Sequence, residues 1–148
     1  MRILFVCTGN SCRSPMAEIY FNALMKQRDR SDISAVSAGL CAVNGWTVSN
    51  QAHEVMRRFG LDASGFRSTA FTAPLARECD MIIGMSSSHV MSIKNICPEI
   101  AGRVSLLLSC CGKEEDVPDP YGGSVEHYAA VFAVMREALD ALAEKVCK

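Results

Sequence analysis

The chain has 148 residues, of which 49% are hydrophobic, and a net charge of −1. That is enough to bury one real core and too little for two, so residues 1–148 are read as a single domain. No run of like charges offers a surface to nucleic acid or a membrane, and no stretch approaches the roughly 18 apolar residues of a membrane span. Only a brief apolar run opens the chain, so it is expected to be cytoplasmic and its eight cysteines to be reduced thiols.

Leu4, Phe5 and Val6 read as a short buried strand, and Met16, Ile19, Tyr20, Ala23 and Leu24 then recur at helical spacing. Between them lies a tight loop from Cys7 to Arg13. Ser14 is expected to cap the helix and Pro15 to be its first residue. A second strand covers Ile33 to Val36, ending at Ser37, Ala38 and Gly39, and Cys41 to Val48 form a loop holding the single tryptophan, Trp46.

A helix from about Asn50 puts Ala52, Val55, Met56 and Phe59 on one face and stops at Gly60. A shorter one follows Thr72, with Pro74 in its first turn. Met81 to Met85 is the third strand, apolar enough to be covered on both faces. Ser86 to Ser88 offer caps for a helix to about Ile96, Val104 to Leu108 is the fourth strand, and Ser124 caps a long last helix. Its apolar positions are Val125, Tyr128, Phe132, Met135, Leu139, Leu142 and Val146. Strands alternating with helices imply the α/β class: a three-layer sandwich with a four-stranded parallel sheet and helices on both faces.

The first loop carries the chemistry. Thr8, Gly9, Asn10, Ser11 and Cys12 are small or polar, so the loop from Cys7 to Arg13 can turn backbone N–H groups toward an anion, with the positive end of the next helix behind it. Ligands in such sheets bind at the carboxyl ends of strands, where Cys7 stands. A free thiol has a pKa of about 8.5, and a helix N-terminus with a neighbouring guanidinium lowers it. Cys7 is therefore expected to be a thiolate facing a phosphate. Cys97 to Arg103 repeats the spacing as CPEIAGR, but Pro98 lacks an N–H, Glu99 repels phosphate and no capped helix follows.

In-line attack by a thiolate needs an acid for the leaving group, typically worth about 10² to 10⁴-fold. Asp119 suits it, stiffened by Pro118 and Pro120 and followed by Gly122 and Gly123, whereas Asp116 lacks flanking prolines. The guanidinium and loop amides supply the positive charge, so neither metal nor cofactor is expected. No CxxC pair occurs, and His53, His89 and His127 lack ligand spacing to any cysteine pair.

The stretch CTGNSCRSPMAE resembles the phosphate loop of the low-molecular-weight protein tyrosine phosphatases, and VPDPYGGS resembles that family's aspartate motif. The resemblance implies a phosphorylated protein as substrate, a phosphate or other oxyanion in the loop, Cys7 as nucleophile, Arg13 as oxyanion clamp and Asp119 as acid and then base. It further implies that Asn10, Ser14 and Ser37 shape the loop and activate the thiol. Tyr121 then lines the substrate pocket beside Ser11, and Cys12 forms a reversible disulfide with Cys7.

Several positions depart from that pattern. Ser11 replaces a bulky aliphatic residue, Gly122 replaces a second tyrosine, Trp46 comes later than the family's tryptophan, and a supporting histidine near Gly65 or Phe66 is missing. Ser11 and DPYGG bring the chain closer to the bacterial protein arginine phosphatases, which have threonine at that loop position; because Ser11 is not threonine, phosphotyrosine is the first expectation and phosphoarginine the alternative. Arsenate reductase comes third, because Ser86, Ser87 and Ser88 stand where those enzymes carry relay cysteines and only Cys97 follows. A phosphate-binding module without catalysis comes last. Cys110 and Cys111 are read as strand-end packing.

Overall fold

A computed structural model describes residues Met1–Lys148. Four strands, β1 (Arg2–Cys7), β2 (Ser34–Gly39), β3 (Met81–Gly84) and β4 (Val104–Leu106), form one sheet in the order β2-β1-β3-β4. Every neighbouring pair is parallel, with Cys7 opposite Gly39 and Ile3 opposite Met81. The chain first builds outward from β1 to β2 and then returns to the other side of β1. This makes the carboxyl ends of β1 and β3 the switch point where a ligand crevice opens.

Helices α1 (Arg13–Gln27), α2 (Asn50–Arg58) and α5 (Val125–Val146) cover one face, and α3 (Ala73–Arg77) and α4 (Ser87–Ile96) the other. Side chains alternate along a strand, so Ile3, Phe5 and Cys7 enter the core under α1 and α5 while Leu4 and Val6 enter the one under α3 and α4. The first core holds 28 buried residues against 10 in the second, which makes α5 the principal cover. Both faces of β1 are sealed, which explains its unbroken apolar run.

Ser49, Thr72, Ser86 and Ser124 cap α2, α3, α4 and α5 through their side chains. The expected cap at Ser14 is not formed. Helix α1 begins at Arg13 after Cys12, with no side-chain cap, because the Ser14 hydroxyl turns inward to the Cys7 sulfur. Pro15 is thus the third helical residue. The second strand runs on to Gly39, since its pairing with β1 continues to Cys7.

The fourth strand is shorter than its apolar run. Leu107 and Leu108 leave the sheet in a 3-10 turn, Leu107–Cys111, and enter the core beneath α5. Phe59 lies just past the end of α2 and is 41% exposed, where its ring meets Tyr20 and Phe132 edge-on. Cys97, in the repeat of the Cys-x5-Arg spacing, is buried, and Arg103 donates to the backbone carbonyls of Arg77 and Cys79 rather than closing a cup.

Candidate active site

Cys7 ends β1, and the following loop closes a cavity of about 270 Å³ lined by Cys7, Thr8, Gly9, Ser11, Cys12, Arg13, Asp119 and Tyr121. Asn10 is the one residue of the loop behind the wall. It adopts a left-handed φ of 52°, which asparagine tolerates. Its amide Nδ2 donates to Ser14 Oγ at 2.8 Å and to Ser37 Oγ at 3.0 Å, and its Oδ1 accepts the Thr69 N–H at 2.8 Å. Every polar atom of the Asn10 side chain is thus spent on holding the loop's shape.

Ser14 Oγ lies 2.8 Å from Cys7 Sγ. With Asn10 donating to that hydroxyl, its own hydrogen is free for the sulfur. Ser37 passes its hydrogen to Glu18 Oε1 at 2.8 Å, and burial raises the Glu18 carboxyl above the usual range. Glu18 ends a network that starts at the thiol, a role hidden in the sequence because Glu18 reads as an ordinary helix-surface acid. It takes up the Ser37 hydroxyl on the side of the network away from Cys7.

The thiol itself departs from expectation. Burial pushes Cys7 above its ordinary pKa, and this outweighs the lowering by the Ser14 hydroxyl, the Ser14 and Asn10 backbone N–H groups and the Arg13 guanidinium. The predicted depression rested on the anion-stabilising groups alone. Those groups are present, but Cys7 is only 3% exposed, and a thiol withdrawn from water resists ionisation.

Arg13 is also buried. Its Nη1 donates to Val117 O at 3.0 Å, and its Nη2 stands 3.8 Å from Asp119 Oδ2. The guanidinium therefore joins the phosphate loop to the aspartate loop. Asp119 is more than half exposed, and its Oδ1 accepts the Tyr121 N–H at 3.1 Å, while the Tyr121 ring stands open at the rim. Asp116 points elsewhere, accepting the Ser87 N–H at the start of α4 through Oδ1 at 2.8 Å.

Cys12 Sγ lies 3.1 Å from the Tyr128 hydroxyl, whose pKa is pushed up to about 12, first by burial and then by this contact. Tyr128 reads in the sequence as one apolar position of the last helix, and its hydroxyl reaches the site only because α5 crosses behind the loop. Gly39 was legible only as a strand end. A Cβ there would stand 2.6 Å from Thr8 O and 2.8 Å from Asn10 N, so the close approach of β2 to the loop requires glycine.

The fold has counterparts across the whole chain. The crystal structure of a low molecular weight protein tyrosine phosphatase from T. tengcongensis superposes with a TM-score of 0.93 at 39% identity, covering 98% of this chain and 99% of that one. The tyrosine phosphatase Wzb from Escherichia coli K30, solved in complex with sulphate, gives a TM-score of 0.88 at 35% identity over 98% and 97% of the two chains. A protein-arginine-phosphatase of Geobacillus stearothermophilus is 34% identical over 146 residues, 98% of this chain and 95% of its own length. The model of the low molecular weight phosphotyrosine protein phosphatases matches residues 2–148. Matched over nearly its whole length by that model and by relatives 34% and 39% identical, the chain belongs to the low molecular weight phosphotyrosine protein phosphatase family.

Proposed function

We propose that the protein is a cysteine-dependent protein phosphatase that hydrolyses phosphotyrosine through a phosphocysteine intermediate. One observation carries the reading: Cys7, Arg13 and Asp119 line a single cavity together with Thr8, Gly9, Ser11 and Cys12. In the first step Cys7, as thiolate, attacks phosphorus and the phosphorus–oxygen bond of the ester breaks. Asp119 protonates the departing oxygen, while Arg13 and the loop amides hold the equatorial oxygens. In the second, Asp119 takes a proton from water, which attacks phosphorus and releases Cys7 and inorganic phosphate.

The half-exposed position of Asp119 at the rim suits an acid that meets the leaving group on the side opposite the sulfur. Raised by burial, Cys7 relies on the Ser14 hydroxyl and the loop N–H groups to hold its charge when it ionises. Cys12, on the same cavity wall, is proposed as the thiol that condenses with a Cys7 sulfenic acid formed by peroxide, releasing water.

A second substrate has its own support. Ser11 places a small hydroxyl side chain on the wall of the cavity, and the protein-arginine-phosphatase of Geobacillus stearothermophilus is 34% identical to this chain. The arsenate-reductase reading has less, because Cys97 is buried in the core on the opposite face of the sheet from Cys7.

The test is hydrolysis of p-nitrophenyl phosphate and of matched phosphotyrosine and phosphoarginine peptides by one preparation. Cys7→Ser is expected to abolish all turnover, and a variant that still turns over would sink the nucleophile assignment. Faster release from phosphoarginine would replace phosphotyrosine as the substrate and leave the mechanism in place.

A further inference from the structure

The turn from β3 into α4 touches both loops of the site. The Met85 N–H donates to Val6 O at 3.0 Å and the Val117 N–H to Met85 O at 2.8 Å. Asp116, in the aspartate loop, accepts the Ser87 N–H. One side chain from the first turn of α4 reaches the phosphate loop: His89, which is buried. Its Nε2 lies 2.8 Å from Thr8 Oγ1 and its Nδ1 2.9 Å from Ser86 Oγ. Ser86 is itself fixed, accepting the His89 N–H as cap of α4 and lying 2.9 Å from Ser88 Oγ.

Thr8 follows the nucleophile directly and lines the cavity. Its carbonyl accepts the Cys41 N–H, but its side chain is exposed, so packing does not settle its rotamer. The bond to His89 does. Burial and then the Arg13 guanidinium lower the His89 pKa, against the opposite pull of Asp116 and Asp119, which favours the neutral ring. A neutral imidazole has one donor and one acceptor nitrogen. Set between two hydroxyls, it donates to one and accepts from the other, and so ties Thr8 Oγ1 to Ser86 Oγ through the ring.

We propose that His89 is a positioning residue of the phosphate loop: anchored on Ser86, it holds the Thr8 side chain and keeps the oxyanion cup in register with the aspartate loop carried by the same turn. The inference rests on the phosphatase reading of the cavity and adds to it a residue outside the Cys7–Glu18 network.

The test compares wild-type full-length protein with Thr8→Val, His89→Ala, His89→Gln and the double variant Thr8→Val/His89→Ala. It uses p-nitrophenyl phosphate as substrate and inorganic phosphate as competitor. Losing one such bond is expected to raise KM and the phosphate inhibition constant roughly threefold to tenfold in either single alanine or valine variant. The double variant should lose no more than either single one, because both remove the same contact. The amide of His89→Gln reaches for Thr8 and should restore most of the loss.

Additive losses, or glutamine no better than alanine, would mark His89 as a fold residue only and overturn the proposal. Should His89→Ala not fold, unchanged KM and phosphate inhibition in Thr8→Val overturn it equally. Failure of the phosphatase reading looks different: wild-type protein then binds inorganic phosphate without turning over p-nitrophenyl phosphate, and the same cycle is read by calorimetric phosphate binding.

Discussion

Cys7 lives under two opposed demands. It must be buried to form the floor of the cavity, and burial resists the negative charge that the proposed attack needs. Ser14 is the first of the groups that oppose this effect. A hydrogen bond to a charged partner is worth about 1.5–3 kcal/mol, and a pKa unit is about 1.4 kcal/mol. In Ser14→Ala the thiolate loses that donor while the neutral thiol loses little, so the pKa rises. Alkylation of Cys7 by iodoacetate, followed by mass spectrometry against pH, should shift upward by roughly one to two units. An unmoved profile would show that the hydroxyl serves loop shape alone.

Among elements, the decisive contact is between the end of β2 and the phosphate loop. Gly39 pairs with Cys7 across the strands, its N–H donates to Thr69 O, and the Leu40 and Cys41 N–H groups donate to Cys7 O and Thr8 O. The loop is laid against this edge so closely that no side chain fits between them. In Gly39→Ala the added carbon meets backbone rather than a yielding side chain, and overpacking of this kind costs about 1–3 kcal/mol. The expected result is a lower Tm together with at least about a tenfold fall in kcat/KM, since the displaced atoms belong to Thr8 and Asn10. A fall in Tm with kcat/KM intact would mean that the strain is taken up in β2.

Across the whole molecule, the shifted thiols and phenols move in one direction. Burial raises the pKa of Cys7, Cys79, Cys110, Tyr20 and Tyr128 above their ordinary values. A group whose folded pKa exceeds its unfolded one stabilises the fold fully below the unfolded pKa and loses that contribution as pH rises through the folded one. The loss therefore begins near the unfolded thiol value, about 8.5, and continues upward as the tyrosines join at about 10. One unit on one group, about 1.4 kcal/mol, moves Tm by roughly 3–6 °C in a domain of this size. Thermal unfolding under reducing conditions should give a Tm that falls steadily above about pH 8.5. A flat Tm up to pH 10 would mean that these groups titrate in the folded protein as they do in the unfolded chain.

Most of the architecture could be read from the residues, and the reason is local. Apolar runs covered on both faces mark parallel strands, serine and threonine caps fix helix starts, and the two motifs that frame the cavity are contiguous stretches of chain. Cys7, Arg13 and Asp119 were legible because each sits in such a stretch. The tertiary structure decided whatever depended on a partner distant in sequence. Ser14 abandoned the cap because the sulfur of Cys7 competes for its hydroxyl, and β4 stopped early because the core beneath α5 takes Leu107 and Leu108. Glu18, Tyr128 and His89 acquired partners that only folding brings near. The Cys7 pKa rose because desolvation is set by everything packed around a group, whereas the sequence displays only its immediate neighbours.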